Sequence, residues 1–422
     1  MARRAARAPE GFARGRTAVT VVHEPRTTPP EQRDLTPSAL APRTWSAWQR
    51  ALATGVVAYG LSRLFVLAGA GVASAAREPR PASAGGPMLD VLTSWDGRWY
   101  FEIVRLGYPH HIPPDITFEQ LEARAAFFPL YPMLVRAADA VLPRSEVLAG
   151  LAVNAVLGLL LVLLVGYLAR EVYGIGAARR AMVLTALFPG SFVLSFAYSE
   201  ALMMVLSAAC LLWLLRRQWW LAGVAAAFAT ASRPNAVAVI AACAVAAFIA
   251  IRRERNWQAL AAPLLAPVGL IVFHLFLDAH AGERGAWFRV QREAWDEGLS
   301  FGTRALRDIG NAIVHPLSSP SAVLTLLSVL AMLVGIWAAW RMRLPWPLVA
   351  YTATVLVLML LPETVTARPR FLYTAFPLLI AVGAAWPEDR GVWREAWAFL
   401  LATCGAGLVA VVGLYGLIAA IP

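Results

Sequence analysis

From residue 147 to 169 the chain reads VLAGLAVNAVLGLLLVLLVGYLA, without one charged side chain. Few features restrict a fold more. An α-helix rises about 1.5 Å per residue, so a run of roughly 20 apolar residues crosses the ~30 Å hydrocarbon core of a bilayer. Similar runs recur along the 422-residue chain, at about 50–75, 147–170, 179–196, 198–215, 218–232, 235–251, 258–280, 320–341, 345–361, 369–386 and 394–419. With 59% hydrophobic and 15% charged residues, the chain has more apolar surface than soluble domain cores of normal size can hide. The expected fold class is therefore an all-α polytopic membrane protein with about eleven transmembrane helices, in one domain over 46–422.

The arginines indicate an orientation. The net charge of +11 comes from Arg alone, since the chain contains no Lys. Much of the excess lies in residues 1–45, a Pro- and Thr-rich stretch too poor in large apolar groups to offset its ordering entropy, expected to be a disordered basic cytoplasmic tail. Its basic start is not followed by a short apolar core, so it does not read as a cleavable signal peptide. The remaining arginines gather at span ends, in REVYGIGAARR, at Arg216–Arg217, in RRER, RMR and EDRGVWRE. That distribution follows the positive-inside rule and argues against a nucleic-acid partner. With the N-terminus inside, two long loops, about 76–146 and 281–319, fall on the extracytoplasmic face. The polar and aromatic segments WDGRWY, AFFPLYP, FPGSFVLSFAYSE, SRPN and ARPRFLYTAFP fall there too. Function is expected on that face.

The most informative of these is TSWDGRWYFEIVRLGYP, residues 93–109. As a helix it sets Trp95, Trp99, Ile103 and Leu106 on one stripe, with Asp96 and Tyr100 on the next, and Gly107 and Pro109 end it. Two readings stand. One is an interfacial amphipathic helix with its Trp belt among the headgroups and Asp96 favoured near its N-terminus by the helix dipole. The other makes Asp96 a base acting on a lipid-linked substrate. Glu200 opens an otherwise apolar span, an expensive position for an acid that is neither paired nor functional. Arg233 in SRPN, and Arg368 and Arg370 at the head of a later span, either extend to the interface or hold an anion. Cys210, Cys243 and Cys404 lie in apolar runs and read as small core residues. No DxD, HExxH, GxSxG or phosphate-binding glycine loop occurs, so no metal, nucleotide or other cofactor is expected.

In order along the chain, WDGRWYFEIVRLGYP, AFFPLYP, PGSFVLSFAYSEAL, ASRPNA and RFLYTAFP resemble the signatures of PIG-V-type mannosyltransferases, which belong to the GT-C glycosyltransferases and have bacterial relatives. The resemblance runs from about residue 50 to the last spans. The WD…GY block with AFFP is its most specific part; the 281–319 loop matches only loosely, through Trp295, and the Pro of SRPN stands where many members have Ser. It implies a GT-C fold in a bacterial plasma membrane and an inverting transfer of mannose from polyprenyl-phosphate-mannose to a lipid, lipoglycan or protein acceptor. Asp96 would then be the catalytic base. Arg370, Arg233 and Arg98 would hold the donor phosphate, and Trp95, Trp99, Tyr100, Tyr131, Tyr198 and Glu200 would line the substrate site. Such a reaction needs one base and positive charge at the departing phosphate, not the carboxylate pair of a glycosidase. The alternatives are a GT-C enzyme using another polyprenyl-phosphate sugar, and a transporter or flippase. The second expects ionisable groups near the bilayer midplane and repeated halves.

Overall fold

The computed structural model describes residues 45–76, 86–142, 145–363, 369–387 and 391–418. The expected disordered tail and Arg368 lie outside them. Apart from one isolated bridge between Leu299 and Pro362, the described residues form helices, turns and loops. Among the described residues, six helical stretches are long and apolar enough to cross a membrane: Ala47–Ala76, Glu146–Tyr173, Pro234–Glu254, Trp257–Ala281, Pro320–Arg341 and Val392–Leu417. Glu200–Leu215, Trp219–Thr230 and Trp346–Leu360 are shorter and equally apolar.

Three of the expected spans are interrupted, that at 258–280 only briefly, at Ala266–Pro267 between Ala261–Leu265 and Val268–Ala281; the other two are broken more fully. The run at 179–196 is helical only over Ile175–Leu187; Pro189 then starts a separate turn of 3-10 helix, Pro189–Leu194. The run at 369–386 divides into Pro369–Thr374 and Pro377–Ala385. Proline lacks the N–H that would continue each ladder. The carbonyls freed at these breaks lie inside the bundle, where no water can serve them, and side chains take over. Asn154 Nδ2 donates to the Phe196 and Tyr198 carbonyls, the latter at 2.8 Å. Tyr373 Oη donates to Thr185 O at 2.6 Å, and Tyr351 Oη to Thr374 O at 3.0 Å. Arg63, near the middle of the first span, donates to Ser191 O at 3.1 Å and Ser195 Oγ at 2.7 Å. Arg63 thus places a charge near a span centre, where it braces the broken segment.

The broken segments also touch each other. A Cβ on Gly190 would collide with the Pro369 carbonyl and come within 2.6 Å of Tyr373 Cβ. Only glycine lets the Pro369–Thr374 helix lie this close to the Pro189–Leu194 turn. Cys210 and Cys243 are buried with their sulfurs 3.6 Å apart, and both are free thiols.

The two long loops form a second small core with the end of the Trp257–Ala281 helix. Trp99, Ile112, Phe128 and Val290 are buried there with Phe273 and Leu277 of that helix. Trp287 Nε1 donates to Ala126 O at 3.0 Å, and Arg289 donates to the Ile112 and Pro113 carbonyls at 2.9 and 3.0 Å. The second loop is also tied to the bundle, because Ser300 N donates to Leu361 O at 2.9 Å and Glu363 N to Gly298 O at 3.0 Å. The loops therefore make a packed, hydrogen-bonded cap over one end of the helices.

Candidate active site

The Asp96–Leu106 helix places the first acid. It stops where Gly107 takes φ 72, as the sequence predicts, and its N-cap is Trp95 at φ 59 and ψ −117, a conformation that a residue with a Cβ rarely adopts. The helix does not float among headgroups. Trp99, Tyr100, Phe101 and Ile103 are all buried in protein, so the expected Trp belt is replaced by packing against the cap. Trp99 stacks on Phe127 at 6.1 Å and meets Trp295 edge-on at 5.7 Å; Tyr100 meets Phe127 at 5.2 Å.

Four charges from four distant stretches of sequence converge beside this helix. Arg370 donates from one guanidinium to both Glu200 and Asp96. Arg233 lies 3.0 Å from Glu200 Oε2 and 3.5 Å from Asp96 Oδ2, and it donates to Ser199 Oγ at 3.2 Å. Tyr100 Oη shares a 2.5 Å hydrogen bond with the same Ser199 hydroxyl. The Arg370 guanidinium also lies over the Tyr198 ring, 4.4 Å from its centre. The two acids differ in access: the Asp96 side chain is 19% exposed and that of Glu200 1%. Burial pushes the Asp96 carboxyl up, but the guanidiniums of Arg370 and Arg233 outweigh it and hold the group below its ordinary value.

A cavity of about 460 Å³ opens on this cluster, and its lining includes Asp96, Arg233, Arg370, Glu297, Tyr100, Phe127 and Trp295. Carboxylates, two cations and flat aromatic rings suit a polar, ring-shaped group carrying a phosphate. A second cavity of about 850 Å³ is almost wholly apolar and lies across the AFFPLYP segment. Ala126, Phe127 and Phe128 face the first cavity, whereas Pro129, Pro132 and Met133 line the second.

The sequence-predicted residues thus separate. Asp96, Arg370, Arg233 and Tyr100 meet at the cavity. Glu200 is their buried counter-ion and lies behind the arginines, outside the cavity lining. Tyr198 and Tyr131 support from behind: Tyr198 underlies Arg370, and Tyr131 packs on Tyr100 at 4.8 Å. Three expectations fail on geometry. Arg98 follows Asp96 by two helical positions and so points to the opposite side, where it is exposed with its guanidinium over Trp99. Trp95 is exposed and leans on Tyr415 instead of the cavity. Trp99 stands behind Phe127 in the cap core. Sequence reasoning passed over Gln291, Asn235, Trp287 and Glu297, which also line the cavity. Asn235 lies two residues after Arg233 in SRPN and could have been found, but nothing local distinguishes Gln291 or Glu297 in a loop rich in charge.

No family model and no curated protein matches the sequence. Solved structures do. ArnT from Cupriavidus metallidurans bound to undecaprenyl phosphate aligns with a TM-score of 0.52 and 14% identity, over 83% of this chain and 63% of that one. The same protein in the apo state aligns with a TM-score of 0.51 and 16% identity, over 82% and 64%. The oligosaccharyltransferase AglB from Archaeoglobus fulgidus, in complex with an inhibitory peptide and a dolichol-phosphate, gives 0.44 and 14%, over 87% and 56%. This chain therefore spans somewhat less than two thirds of the ArnT chains it matches. The ArnT structures have the GT-C fold, and the fold of this chain is of that type: a multi-pass bundle of apolar helices.

Proposed function

We propose that this protein is an inverting glycosyltransferase that takes mannose from polyprenyl-phosphate-mannose and forms an α-mannoside on an extracytoplasmic lipid, lipoglycan or protein acceptor in a bacterial plasma membrane. The observation that carries the reading is a part-buried carboxylate, Asp96, lining a cavity together with Arg233, Arg370 and a second acid, Glu297, with an apolar groove across the neighbouring AFFPLYP segment. The GT-C fold, the bound undecaprenyl phosphate of the neighbouring ArnT and the resemblance to PIG-V-type sequences support it.

In the reaction the acceptor hydroxyl oxygen attacks the anomeric carbon of the sugar. Asp96 takes the hydroxyl proton as the new C–O bond forms, and the bond between the anomeric carbon and the phosphate oxygen breaks, its electron pair leaving with polyprenyl phosphate. A base in this role contributes about 10²–10⁴-fold. The leaving phosphate is already an anion, so no acid is required to protonate it; the guanidiniums of Arg370 and Arg233 meet its growing charge instead. In the resting site Arg370 divides its donors between Asp96 and Glu200. A donor phosphate competes with Asp96 for that guanidinium, and its arrival frees Asp96 to become more basic where the acceptor must lie. Phe127 and Trp295 offer the sugar apolar faces, and the groove across AFFPLYP takes isoprenoid carbon. Fixing donor and acceptor together supplies the rest of the acceleration.

The test supplies membranes holding the protein with radiolabelled polyprenyl-phosphate mannose, glucose or arabinofuranose in parallel. Label is expected to pass from the mannose donor to an acceptor. Transfer from another sugar alone would correct the donor, and transfer from none would reject the reaction.

A further inference from the structure

At the end of the bundle away from the catalytic cluster, the turn between Pro320–Arg341 and Trp346–Leu360 borders a groove of about 920 Å³. The other end of the second of these helices supplies Leu358 and Met359 to the substrate cavity, so the groove belongs to the opposite membrane face. Its mouth carries Arg341, Arg343, Trp340 and Trp346, and its wall continues to Leu356 and Leu378. Trp340 and Trp346 are 76% and 64% exposed, in the amphipathic style of side chains at the headgroup level.

Two observations bear on this turn. First, among the described residues no carboxylate pairs with Arg341 or Arg343, as none does with Arg252, Arg253 and Arg255 of RRER, whereas Arg216 pairs with Glu171 at 2.9 Å and Arg217 with Glu254. Second, the cations stand at the mouth of a built groove. From Trp346 to Leu356 the wall runs roughly 15 Å along the helix, about half the ~30 Å hydrocarbon core. That is the depth of one leaflet, with the positive charge where a headgroup lies. The Thr352 and Ala353 side chains leave room along it, and Gly335 lets the neighbouring helix approach Leu378 closely behind it.

We infer that this groove binds an anionic phospholipid of the leaflet opposite the substrate cavity. Its phosphate sits on Arg341 and Arg343, and an acyl chain runs between the Trp346–Leu360 helix and Leu378. This site is independent of the proposed reaction. Its occupant is a structural lipid, held by charge at the head and by apolar surface along the chain.

Native mass spectrometry of the delipidated full chain, titrated with phosphatidylglycerol or phosphatidylcholine of matched acyl chains, tests the assignment. Phosphatidylglycerol is expected to bind about tenfold more tightly or better, as two arginines near a headgroup would give. In the Arg341→Gln/Arg343→Gln double variant that preference should vanish. Leu356→Trp, which fills the groove and leaves the charge alone, should weaken both lipids together. Soluble glycerol phosphate should not displace the lipid. Equal binding of the two lipids by the wild type would overturn the proposal, as would full retention of phosphatidylglycerol by the double variant or displacement by glycerol phosphate. Should the double variant misfold, the wild-type headgroup comparison and Leu356→Trp decide the matter.

Discussion

Asp96 and Glu200 face the same two arginines but differ in access, and on the proposed reading they have different duties. Glu200 is 1% exposed and lies outside the lining of the substrate cavity; on that reading it holds Arg370 and Arg233 in place. Removing one partner from a buried pair leaves uncompensated charge and costs about 3–5 kcal/mol. Glu200→Ala is therefore expected to lower the unfolding temperature sharply, whereas Asp96→Asn, at a partly open position that keeps its volume, should lower it little. Equal losses in the two variants would refute this division. The Asp96 carboxyl, held below its ordinary value chiefly by Arg370 and Arg233 against the effect of burial, also fixes a pH dependence. A group with a lowered folded-state pKa contributes stability above its unfolded pKa, near 4, and that contribution is lost as pH falls through the folded value. The acid limb of kcat/KM, which reports the free enzyme, should accordingly lie at or below about pH 4. A limb near pH 6 or 7 would show that some other group is the base. Residue identity at this scale was partly legible. Asp96, Arg233 and Arg370 stand out in a sequence as charges where lipid discourages them. The exclusion of Arg98 and Trp95 was not legible, because it depends on which way one helix is rotated, and Trp99 and Ile103 face protein here instead of lipid.

The elements that carry the site are the irregular ones. Tyr198, Ser199 and Glu200 follow the Pro189–Leu194 turn, and Arg370 sits in the short helix pressed against it at Gly190. Non-helical backbone at membrane depth survives only where protein groups satisfy it. Asn154 does so for two carbonyls at once, those of Phe196 and Tyr198. Asn154→Leu should orphan both and cost about 1–3 kcal/mol for each. Because those residues border Arg370, transfer should fall well beyond what the loss of folded protein explains. An unchanged specific activity in the folded fraction would contradict this bracing role. Apolar periodicity showed the long spans well, since a run such as 147–169 can be little else. It misread 179–196 as continuous because Pro189–Leu194 is as apolar as a span; Pro189 and Gly190 were the only local signs of the break. That Asn154 and Arg63 would supply the missing donors could not be read from sequence, because each acts on a segment far along the chain.

At the scale of the whole molecule, one end of the bundle is capped by the two long loops and holds the polar cavity. The opposite end carries the short basic turns, including RRER and RMR. The composition alone establishes a membrane protein, and the arginines alone propose its orientation. The docking of one long loop on the other, through Trp287 and Arg289, has no local signature. The orientation can be checked with single cysteines, since Cys210, Cys243 and Cys404 are buried. An impermeant thiol reagent should label Glu119→Cys on intact cells and Arg253→Cys only after lysis; the reverse pattern would invert the protein. On the proposed reading, Asp96 removes the acceptor proton in a cavity where Arg370 and Arg233 hold a lipid-linked sugar phosphate. Wild type and Asp96→Asn can be compared in membranes given radiolabelled polyprenyl-phosphate mannose, with donor binding measured in parallel. Asp96→Asn is expected to bind the donor at least as well as wild type but to transfer at least ~10²-fold more slowly. Transfer at the wild-type rate by Asp96→Asn would contradict that role.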